Sequence, residues 1–353
     1  MISKFTQLIK PKSALIAMSG GVDSTVAALL MQQDGVDCSG ATMKVFNGSD
    51  KTVKDAKIVA SQLNIPFFEF DFSKQFDKHV IQSFISDYQQ GRTPNPCVVC
   101  NKHLKFGKLM DKAVEMGKDC IVTGHYVQVE CDVNGRYLLK KGIDKTKDQS
   151  YVLYSLTQKQ LAHSRFPLGR LTKAQVREIA IEAGYDKTTK DESQDICFIP
   201  DGDYINFIKE YTGEEPQKGR FIDTQGNDLG ENKGISSYTI GQRRGLGLSM
   251  PHPPYVIELR PDNNTVVIGK EDMLYSKTLT ATDINLIPFD KISTPVKAHV
   301  KIRYKDPGHS ATVHQIDENT LHIEFDEPQR AITKGQAAVI FDGDIIIGGG
   351  TIS

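Results

Sequence analysis

The chain has 353 residues, of which 39% are hydrophobic and 25% charged, so we expect two or three domains with sizeable cores. Its 43 basic and 44 acidic residues give a net charge of −1, which excludes a uniformly basic surface, so any nucleic-acid site must be a local patch. No apolar run approaches the roughly 20 residues of a transmembrane helix, and residues 1–12 lack the apolar core of a secretory signal. We therefore expect a cytoplasmic protein.

A glycine-rich loop follows the first predicted strand. The apolar run 14–18 predicts a buried strand, residues 19–21 a tight turn, and residues 26–32 an amphipathic helix. Such a junction directs backbone N–H groups and the positive end of a helix dipole at one point, which favours an anion. The loop lacks the lysine of a Walker A sequence but carries Asp23. Because a carboxylate repels a polyphosphate unless a cation lies between them, Asp23 predicts a bound Mg²⁺.

Strand and helix patterns alternate up to about residue 130. Further strands are predicted at 40–45, 67–72 and 120–123, and helices at 53–63, 76–88 and 104–116. Repeated β–α units predict an α/β fold with a parallel, doubly wound sheet, in which ligands bind beyond the carboxyl ends of the strands. Ser19, Met43 and Gly124 each follow a predicted strand, so we expect them to share one nucleotide site.

The pattern changes beyond residue 150. A helical stretch is predicted over 150–180, followed by turn-rich segments that predict a small mixed domain. From residue 276 onward short strands alternate, including 296–302 and 337–341, which predicts a β-barrel or sandwich. We therefore predict domains at 1–200, 201–275 and 276–353. Lys297, Lys301, Arg303 and Lys305 occupy alternate positions, which predicts a basic stripe suited to an RNA backbone.

The cysteines suggest chemistry rather than a disulfide framework. Cys97 and Cys100 form a C-x-x-C after two prolines, and Cys197 is a third candidate about 100 residues further on. A C-x-x-C is compatible with a redox pair, or with half a zinc site completed by a ligand such as His103.

Two resemblances narrow these possibilities. The loop 19–24 resembles the PP-loop of ATP pyrophosphatases, which adenylate a substrate oxygen. The order of motifs along nearly the whole chain resembles the tRNA-specific 2-thiouridylases, which replace an oxygen of the wobble uridine of tRNA with sulfur at the expense of ATP. The motifs are residues 19–24, 43, 91–96, 100–102, 123–126, 147–151, 193–200, 238–247, 303–304 and 335–336. The resemblance implies a Rossmann-like PP-loop domain, a small central domain and a C-terminal β-barrel that helps to hold tRNA.

The resemblance also implies roles for individual residues. Cys100 would be the catalytic cysteine, and Cys197 would receive a persulfide. ATP and Mg²⁺ would bind at Ala17, Met18, Ser19, Gly20, Gly21, Val22, Asp23, Ser24, Met43 and Gly124. Contacts to tRNA would come from Asn95, Pro96, Cys97, His125, Lys147, Asp148, Gln149, Arg303, Tyr304 and Gln336. Expected partners are the anticodon stem-loop of tRNA and a sulfur donor, such as a cysteine desulfurase or a relay protein.

One position departs from the family pattern, since most members have an aspartate where this chain has Cys97. Cys97, Cys100 and Cys197 would then be able to hold a [4Fe-4S] cluster through three cysteines, as an alternative to the persulfide route. A thiolate mechanism requires a lowered thiol pKa, for which Lys102 or a helix N-terminus is a candidate. Two other functions remain open, namely adenylation of a small molecule and a tRNA-binding sulfur-relay protein without catalysis.

Overall fold

The computed structural model describes residues 5–6, 8–46, 48–185 and 196–353, so positions 193–195 of the motif around Cys197 lie outside the described residues. Up to residue 185 the strands are β1 (Phe5–Thr6), β2 (Ser13–Ala17), β3 (Asp37–Lys44), β4 (Phe67–Asp71), β5 (Cys120–Val122), β6 (Val127–Asp132), β7 (Tyr137–Lys141) and β8 (Ser164–Arg165). The α-helices of this part are α1 (Val22–Gln33), α2 (Asp50–Gln62), α3 (Ser73–Phe76), α4 (Gln82–Gln89), α5 (Pro96–Cys100), α6 (Leu109–Glu115), α7 (Gln158–Ala162) and α8 (Lys173–Glu182).

Five of these strands form the predicted parallel sheet, in the order β4-β3-β2-β5-β8. On β2, Ile16 lies opposite Gly40 of β3 on one side and Val122 of β5 on the other. The chain winds outward from β2 in one direction and from β5 in the other, so the crevice between them is the topological switch point where ligands bind. Ser19 follows β2 and Gly124 follows β5, which places both at this crevice.

The central strand β2 is buried on both faces. Leu15 belongs to a core cluster with Phe84 and Leu109, whereas Ile16 belongs to another with Val26 of α1. Because helices cover both faces of the sheet, every residue from 14 to 16 is apolar instead of alternating with polar ones. The predicted doubly wound architecture is confirmed.

Two helices contain wider, π-helical turns. These turns are Asp77–Ile81 between α3 and α4, and Asn101–Lys108 between α5 and α6. The helix predicted over 104–116 therefore begins earlier, at Pro96, because proline fits the first helical turn and Asn95 caps it. The Asn95 side-chain oxygen accepts a 3.4 Å hydrogen bond from the Val98 amide. Both cysteines of the C-x-x-C thus lie on α5.

The central part of the chain is a small mixed domain, as predicted. Its elements are α9 (Tyr204–Thr212), β9 (Gly219–Ile222), β10 (Asp228–Asn232), β11 (Tyr255–Arg260) and β12 (Thr265–Gly269). The sheet order is β10-β9-β12-β11, in which β9 and β12 are parallel and the other pairs antiparallel. Phe221, Tyr238 and Val266 lie in its separate apolar core.

The last part is a closed antiparallel barrel, which confirms the barrel prediction. Its strands are β13 (Tyr275–Leu286), β14 (Val296–Lys301), β15 (His309–Asp317), β16 (Thr320–Arg330), β17 (Ala337–Asp342) and β18 (Ile345–Ile352). The order is β18-β13-β16-β15-β14-β17, and β17 pairs back to β18. On its other side β18 meets β7, where Ile345 lies opposite Lys140, so the β6–β7 hairpin extends the barrel sheet. This hairpin was not predicted from the sequence.

The alternation predicted for 337–341 is wrong, because all five residues are buried. Ala337, Val339 and Phe341 pack in the core cluster that contains Leu15 and Tyr151, whereas Ala338 and Ile340 pack inside the barrel. The Tyr151 hydroxyl also donates a 2.9 Å hydrogen bond to the Ala337 carbonyl. The barrel and the parallel-sheet domain therefore share one core.

The continuous helical stretch predicted over 150–180 is also wrong. Thr157 and Thr172 form capping boxes with Gln160 and Gln175, so each threonine begins a new helix. Short 3₁₀ turns cover Ser150–Leu153, Pro167–Arg170, Ile235–Ser237, Pro261–Asn263 and Glu271–Leu274. In the parts of the chain that the structure describes, no helix has the length and apolar character needed to cross a bilayer.

Candidate functional site

The glycine-rich loop has the predicted strand–turn–helix geometry. Gly20 has a φ of +73°, and a Cβ there would lie 2.5 Å from the Cβ of Asp55, so glycine is required at this close approach. The Ser24 hydroxyl accepts a 3.2 Å hydrogen bond from the Ser19 amide and donates a 3.0 Å bond to the Gly21 carbonyl. These bonds hold the loop so that the N-terminus of α1 lies at the crevice.

A cleft of about 250 Å³ lies at the carboxyl ends of β2, β3 and β5. Of the predicted nucleotide-binding residues it is lined by Ala17, Met18, Ser19, Asp23, Ser24, Met43 and Gly124. Gly20, Gly21 and Val22 shape the turn but do not line the cleft. Gly124 has to be small because a Cβ would lie 2.9 Å from the Asp23 carbonyl carbon. Two residues predicted to contact tRNA, His125 and Gln149, also line the cleft.

Asp23 takes part in an ion pair that the sequence analysis missed. Lys173 Nζ and the Tyr126 hydroxyl each donate a 2.7 Å hydrogen bond to Asp23 Oδ1. The Lys173 side chain is only 11% exposed, and it follows the cap residue of α8. Nothing local in the sequence distinguishes this lysine, since its partner lies 150 residues away.

Asp23 is also the one carboxylate among the described residues that line the cleft. Mg²⁺ is usually held by one or two carboxylates together with phosphate oxygens of the nucleotide. The donor set therefore fits a magnesium ion that arrives with a nucleotide, with Asp23 as its protein ligand.

His125 lies at the inner wall of the cleft and is buried. Its Nδ1 is 2.7 Å from the Thr123 hydroxyl, and its ring packs near Phe106 and Phe166. Burial, together with the charge of Lys105, holds the pKa of His125 well below its usual value. The imidazole is therefore neutral near pH 7 and suits contact with an uncharged base.

The three candidate cysteines lie in one group. Cys97 and Cys197 are exposed and Cys100 is half-buried. Phe198 anchors the segment of Cys197, with its ring centroid 5.5 Å from those of Phe76 and Phe84. The surrounding protein raises the pKa of Cys97 and Cys100, and raises that of Cys197 to about 12. The charge of Cys97 adds to the rise at Cys100, and the charges of Cys100 and Cys97 add to the rise at Cys197, so the three sulfurs lie within electrostatic range of one another.

The thiol pKa values are thus raised, not lowered as the thiolate mechanism requires. The cation that acts on the three thiols is Lys105, and its charge opposes the rise in pKa caused by the surrounding protein. Lys102, the candidate from the sequence, is exposed and is not among the charges that shift these thiols. The described residues contain no group of three or more His, Cys, Asp or Glu side chains arranged to hold a metal ion.

The barrel contacts the segment that carries Asn95, Pro96 and Cys97. Gln336 Nε2 donates a 2.9 Å hydrogen bond to the Thr93 carbonyl, and the Thr93 amide donates a 2.8 Å bond to the Lys334 carbonyl. Gln336, a predicted tRNA contact, therefore holds the backbone just before the C-x-x-C.

Other predicted tRNA contacts lie near the cysteines. The Tyr304 hydroxyl lies 3.3 Å from the Asp148 carbonyl and donates to it, and the Arg303 guanidinium donates to the Ala331 carbonyl. Burial, then the charges of Asp148 and Cys97, raise the pKa of Tyr304, so its hydroxyl lies within electrostatic range of Cys97. The Asp148 carboxylate accepts bonds from Gly142 and Ser150, so it shapes its own turn. Lys147 lies in the same turn.

The predicted basic stripe does not form along one strand. Strand β14 ends at Lys301, so Arg303 and Lys305 lie in the following turn. Lys297 pairs with Asp326, and Lys301 lies over the ring of Phe341, 5.9 Å from its centroid. Of these four residues, Arg303 directly precedes Tyr304, whose pKa is shifted by the charge of Cys97.

Three family models match successive parts of the chain. A tRNA methyl transferase HUP domain matches residues 12–201, a tRNA methyl transferase PRC-barrel domain matches 205–270, and an aminomethyltransferase beta-barrel domain matches 276–352.

Curated relatives match almost the whole length. The chain is 47% identical to the tRNA-specific 2-thiouridylase MnmA of Clostridioides difficile (strain 630), over 97% of this chain and 98% of that protein. It is 45% identical to the proteins of the same description from Clostridium kluyveri and Acetivibrio thermocellus, in each case over 97% of this chain and 99% of the relative. The chain therefore belongs to the tRNA-specific 2-thiouridylase family.

Proposed function

We propose that this enzyme converts the wobble uridine of tRNA to 2-thiouridine, using ATP to activate the uridine oxygen and a cysteine-bound sulfur to replace it. The observation that carries the proposal is the position of Lys105, which lines the nucleotide cleft and whose charge acts on Cys97, Cys100 and Cys197. An anion-binding loop and a group of thiols therefore share one site. The names of the relatives support the same reaction.

The first half-reaction is adenylation at the cleft. The phosphates of ATP lie against the 19–24 loop and the N-terminus of α1, and the base lies toward Met43. Asp23 is the protein ligand for Mg²⁺, which neutralises phosphate charge when bound. The uridine oxygen attacks the α-phosphate and pyrophosphate leaves. The oxygen is then bonded to an adenylyl group, and the two can leave together as AMP, a good leaving group.

The second half-reaction is sulfur transfer. The terminal sulfur of a persulfide on Cys197 attacks the activated carbon, and AMP leaves with the original oxygen. The Cys100 thiolate then attacks Sγ of Cys197, which breaks the sulfur–sulfur bond and releases 2-thiouridine. The product is a Cys100–Cys197 disulfide, and a cellular thiol supplies the two electrons that reduce it.

An iron–sulfur route receives less support from this site. Cys97, Cys100 and Cys197 have the right chemistry for a three-cysteine [4Fe-4S] cluster. In the described residues, however, they do not converge into a group that holds a metal. We therefore derive no step through a cluster, and propose that Cys97 lines the target-base pocket.

The tRNA lies across the parallel-sheet domain and the barrel. Asn95, Pro96, Cys97 and His125 face the target base, which has to leave its stack to reach the cleft. The remaining contacts come from Lys147, Asp148, Gln149, Arg303, Tyr304 and Gln336. Arg303 and Lys147 provide the positive charge for phosphates.

The proposed domain limits are 1–200 for catalysis, 201–275 for the central domain and 276–353 for tRNA binding. A cysteine desulfurase or a relay protein loads Cys197 with sulfur. We place the enzyme in the cytoplasm, where thiols remain reduced, and its six cysteines are free.

Protein purified without oxygen, incubated with an unmodified tRNA transcript, ATP and a persulfide donor, tests the proposal. We expect 2-thiouridine in the digested tRNA and one AMP for each thiolated uridine. If the iron-free protein thiolates tRNA, the persulfide route is supported. An absorption band near ~400 nm together with about four irons per chain would support the cluster route instead. ATP–pyrophosphate exchange that does not depend on tRNA would identify a small-molecule substrate. ATP consumption that stays at background with tRNA and the sulfur donor present would identify a relay protein without catalysis.

The descriptions of two of the matching family models name methyl transfer to tRNA, not thiolation. The group of three thiols beside a nucleotide cleft favours sulfur transfer, because methyl transfer has no need of a persulfide carrier. Mass spectrometry of the digested tRNA separates the two reactions, since an exchange of oxygen for sulfur and an added methyl group give different masses.

A further inference from the structure

Lys105 occupies a position that none of the motifs assigns. It is half-buried and lines the cleft with Ser19, Asp23 and His125. It also lies on the helix that carries Cys97 and Cys100, just beyond the C-x-x-C. No carboxylate among the described residues pairs with its ammonium group.

The π-helical turn brings Lys105 onto the face of Cys100. In a regular α-helix, residues five apart differ by about 140° around the axis, so a lysine at this spacing would point away from the cysteine. In a π-helix the hydrogen bonds run from residue i to i+5, so residues five apart lie much nearer to one face than they do in an α-helix. The segment Asn101–Lys108 is π-helical, and the Gln160 amide supports it by donating to the carbonyls of Lys102 and Phe106 at 3.3 and 2.7 Å.

We propose that Lys105 is a catalytic cation that serves two successive anions, first the α-phosphate of the nucleotide and then the sulfur that displaces AMP. The inference rests on the proposed function, and it names the residue that connects the two half-reactions. One ammonium group between the cleft and the thiols stabilises AMP as it leaves and the sulfur anion as it approaches.

The surroundings of the thiols explain why such a cation is needed. Burial disfavours the thiolate form of Cys100, and Cys97 adds to this effect. Lys105 is the charge that opposes it at all three cysteines. Lys102 lies three positions earlier on the same helix but is exposed, which makes it a matched control.

Two measurements without tRNA test the proposal, on the full-length protein and on the variants Lys105→Gln, Lys105→Arg and Lys102→Gln. The first is the dissociation constant of AMP, determined by calorimetry. The second is the ratio of the rates at which iodoacetate and iodoacetamide modify Cys100, followed by mass spectrometry. Iodoacetate is anionic and iodoacetamide neutral, so the ratio reports the local charge independently of how much thiolate is present.

We expect Lys105→Gln to weaken AMP binding about tenfold, since a charge-assisted hydrogen bond is lost. We expect the same variant to lower the iodoacetate-to-iodoacetamide ratio about fivefold, because one positive charge is removed from the approach to Cys100. Lys105→Arg should restore both values to within about twofold, since it keeps the charge. Lys102→Gln should leave both unchanged.

The proposal is overturned if Lys105→Gln leaves either value unchanged, or if Lys105→Arg restores neither. Melting curves of each variant show whether the fold is retained. If the wild-type enzyme thiolates tRNA but the Lys105 variants show none of these effects, this inference is overturned and the proposed function stands. If the Lys105 variants show the effects but the wild-type enzyme fails to thiolate tRNA, the proposed function alone is overturned.

Discussion

Lys173 Nζ donates a 2.7 Å hydrogen bond to Asp23 Oδ1, although 150 residues separate the two in the sequence. The pair joins the start of α8 to the start of α1, at the edge of the nucleotide cleft. Because Asp23 is the proposed ligand for Mg²⁺, the proposal requires this carboxylate to exchange its lysine partner for a metal ion when the nucleotide binds.

Replacement of Asp23 by alanine should abolish ATP consumption but leave tRNA binding nearly intact, because it removes a metal ligand rather than an RNA contact. AMP release and tRNA binding by gel shift give the two readings. If the Asp23→Ala variant consumes ATP at the wild-type rate, Asp23 is not the required ligand for Mg²⁺.

The Asp23–Lys173 pair should also contribute to the free energy of unfolding. We expect a double-mutant cycle with Asp23→Ala and Lys173→Met to give a coupling energy of about 1–3 kcal/mol, since the side chains touch and Lys173 is largely buried. Urea unfolding of the four proteins measures this energy. Additive effects of the two substitutions would show that the pair contributes nothing to folding.

Cys100→Ser and Cys197→Ser should each abolish thiolation, because serine carries no persulfide sulfur and is a poor ligand for iron. The 2-thiouridine content of digested tRNA measures the effect. Cys131→Ser is the control and should retain activity, since Cys131 lies on β6 opposite Thr6 and Tyr137 and is not among the charges that shift the three candidate thiols. Full activity in either of the first two variants would contradict both sulfur routes.

The raised thiol pKa values predict the pH dependence of alkylation. Only the thiolate reacts, so the rate at Cys197, whose pKa is raised to about 12, should increase about tenfold per pH unit between pH 7 and 10 without a plateau. Iodoacetamide labelling followed by mass spectrometry measures this rate. A plateau near pH 7 would show that the thiol is already ionised there.

Gly335 should be essential for the position of the segment before the C-x-x-C. Its φ is +89°, and a Cβ there would lie 3.0 Å from the Thr93 amide nitrogen. Gly335→Ala should therefore displace this segment and lower kcat for thiolation on the order of 100-fold, as small misplacements at active sites do, while AMP still binds.

Gly343→Ala provides the control for this prediction. Gly343 also has a positive φ, +59°, but a Cβ there meets nothing within 4 Å. We expect a small loss of stability and near-normal thiolation. Equal activity losses in the two variants would show that backbone strain, rather than the contact with Thr93, is responsible.

The features that the sequence predicted correctly are encoded locally. The β2 strand, the glycine turn and α1 are adjacent in the chain, so their pattern of apolar and small residues is sufficient to identify them. The parallel, doubly wound arrangement follows from the repeated β–α units. The cleft residues around Ser19 and Gly124 could therefore be predicted together.

The features that were missed depend on distant contacts. Lys173 becomes notable only when α8 packs near the glycine loop, and Lys105 only when a π-helical turn replaces the regular helical period. Strands β6 and β7 belong to a sheet that is completed by β18, which lies far along the chain. A pattern read within a short window contains none of this information.

Strand β18 pairs with β7, β13 and β17, and it is translated after all other described elements. During synthesis the parallel-sheet domain therefore emerges from the ribosome with the edge of β7 and part of its apolar core uncovered. We therefore expect the catalytic half to reach its final packing only with the barrel, and a premature stop codon before Ile345 would deprive both halves of a shared strand. A nonsense mutation just before β18 should thus be as damaging as one in the glycine loop.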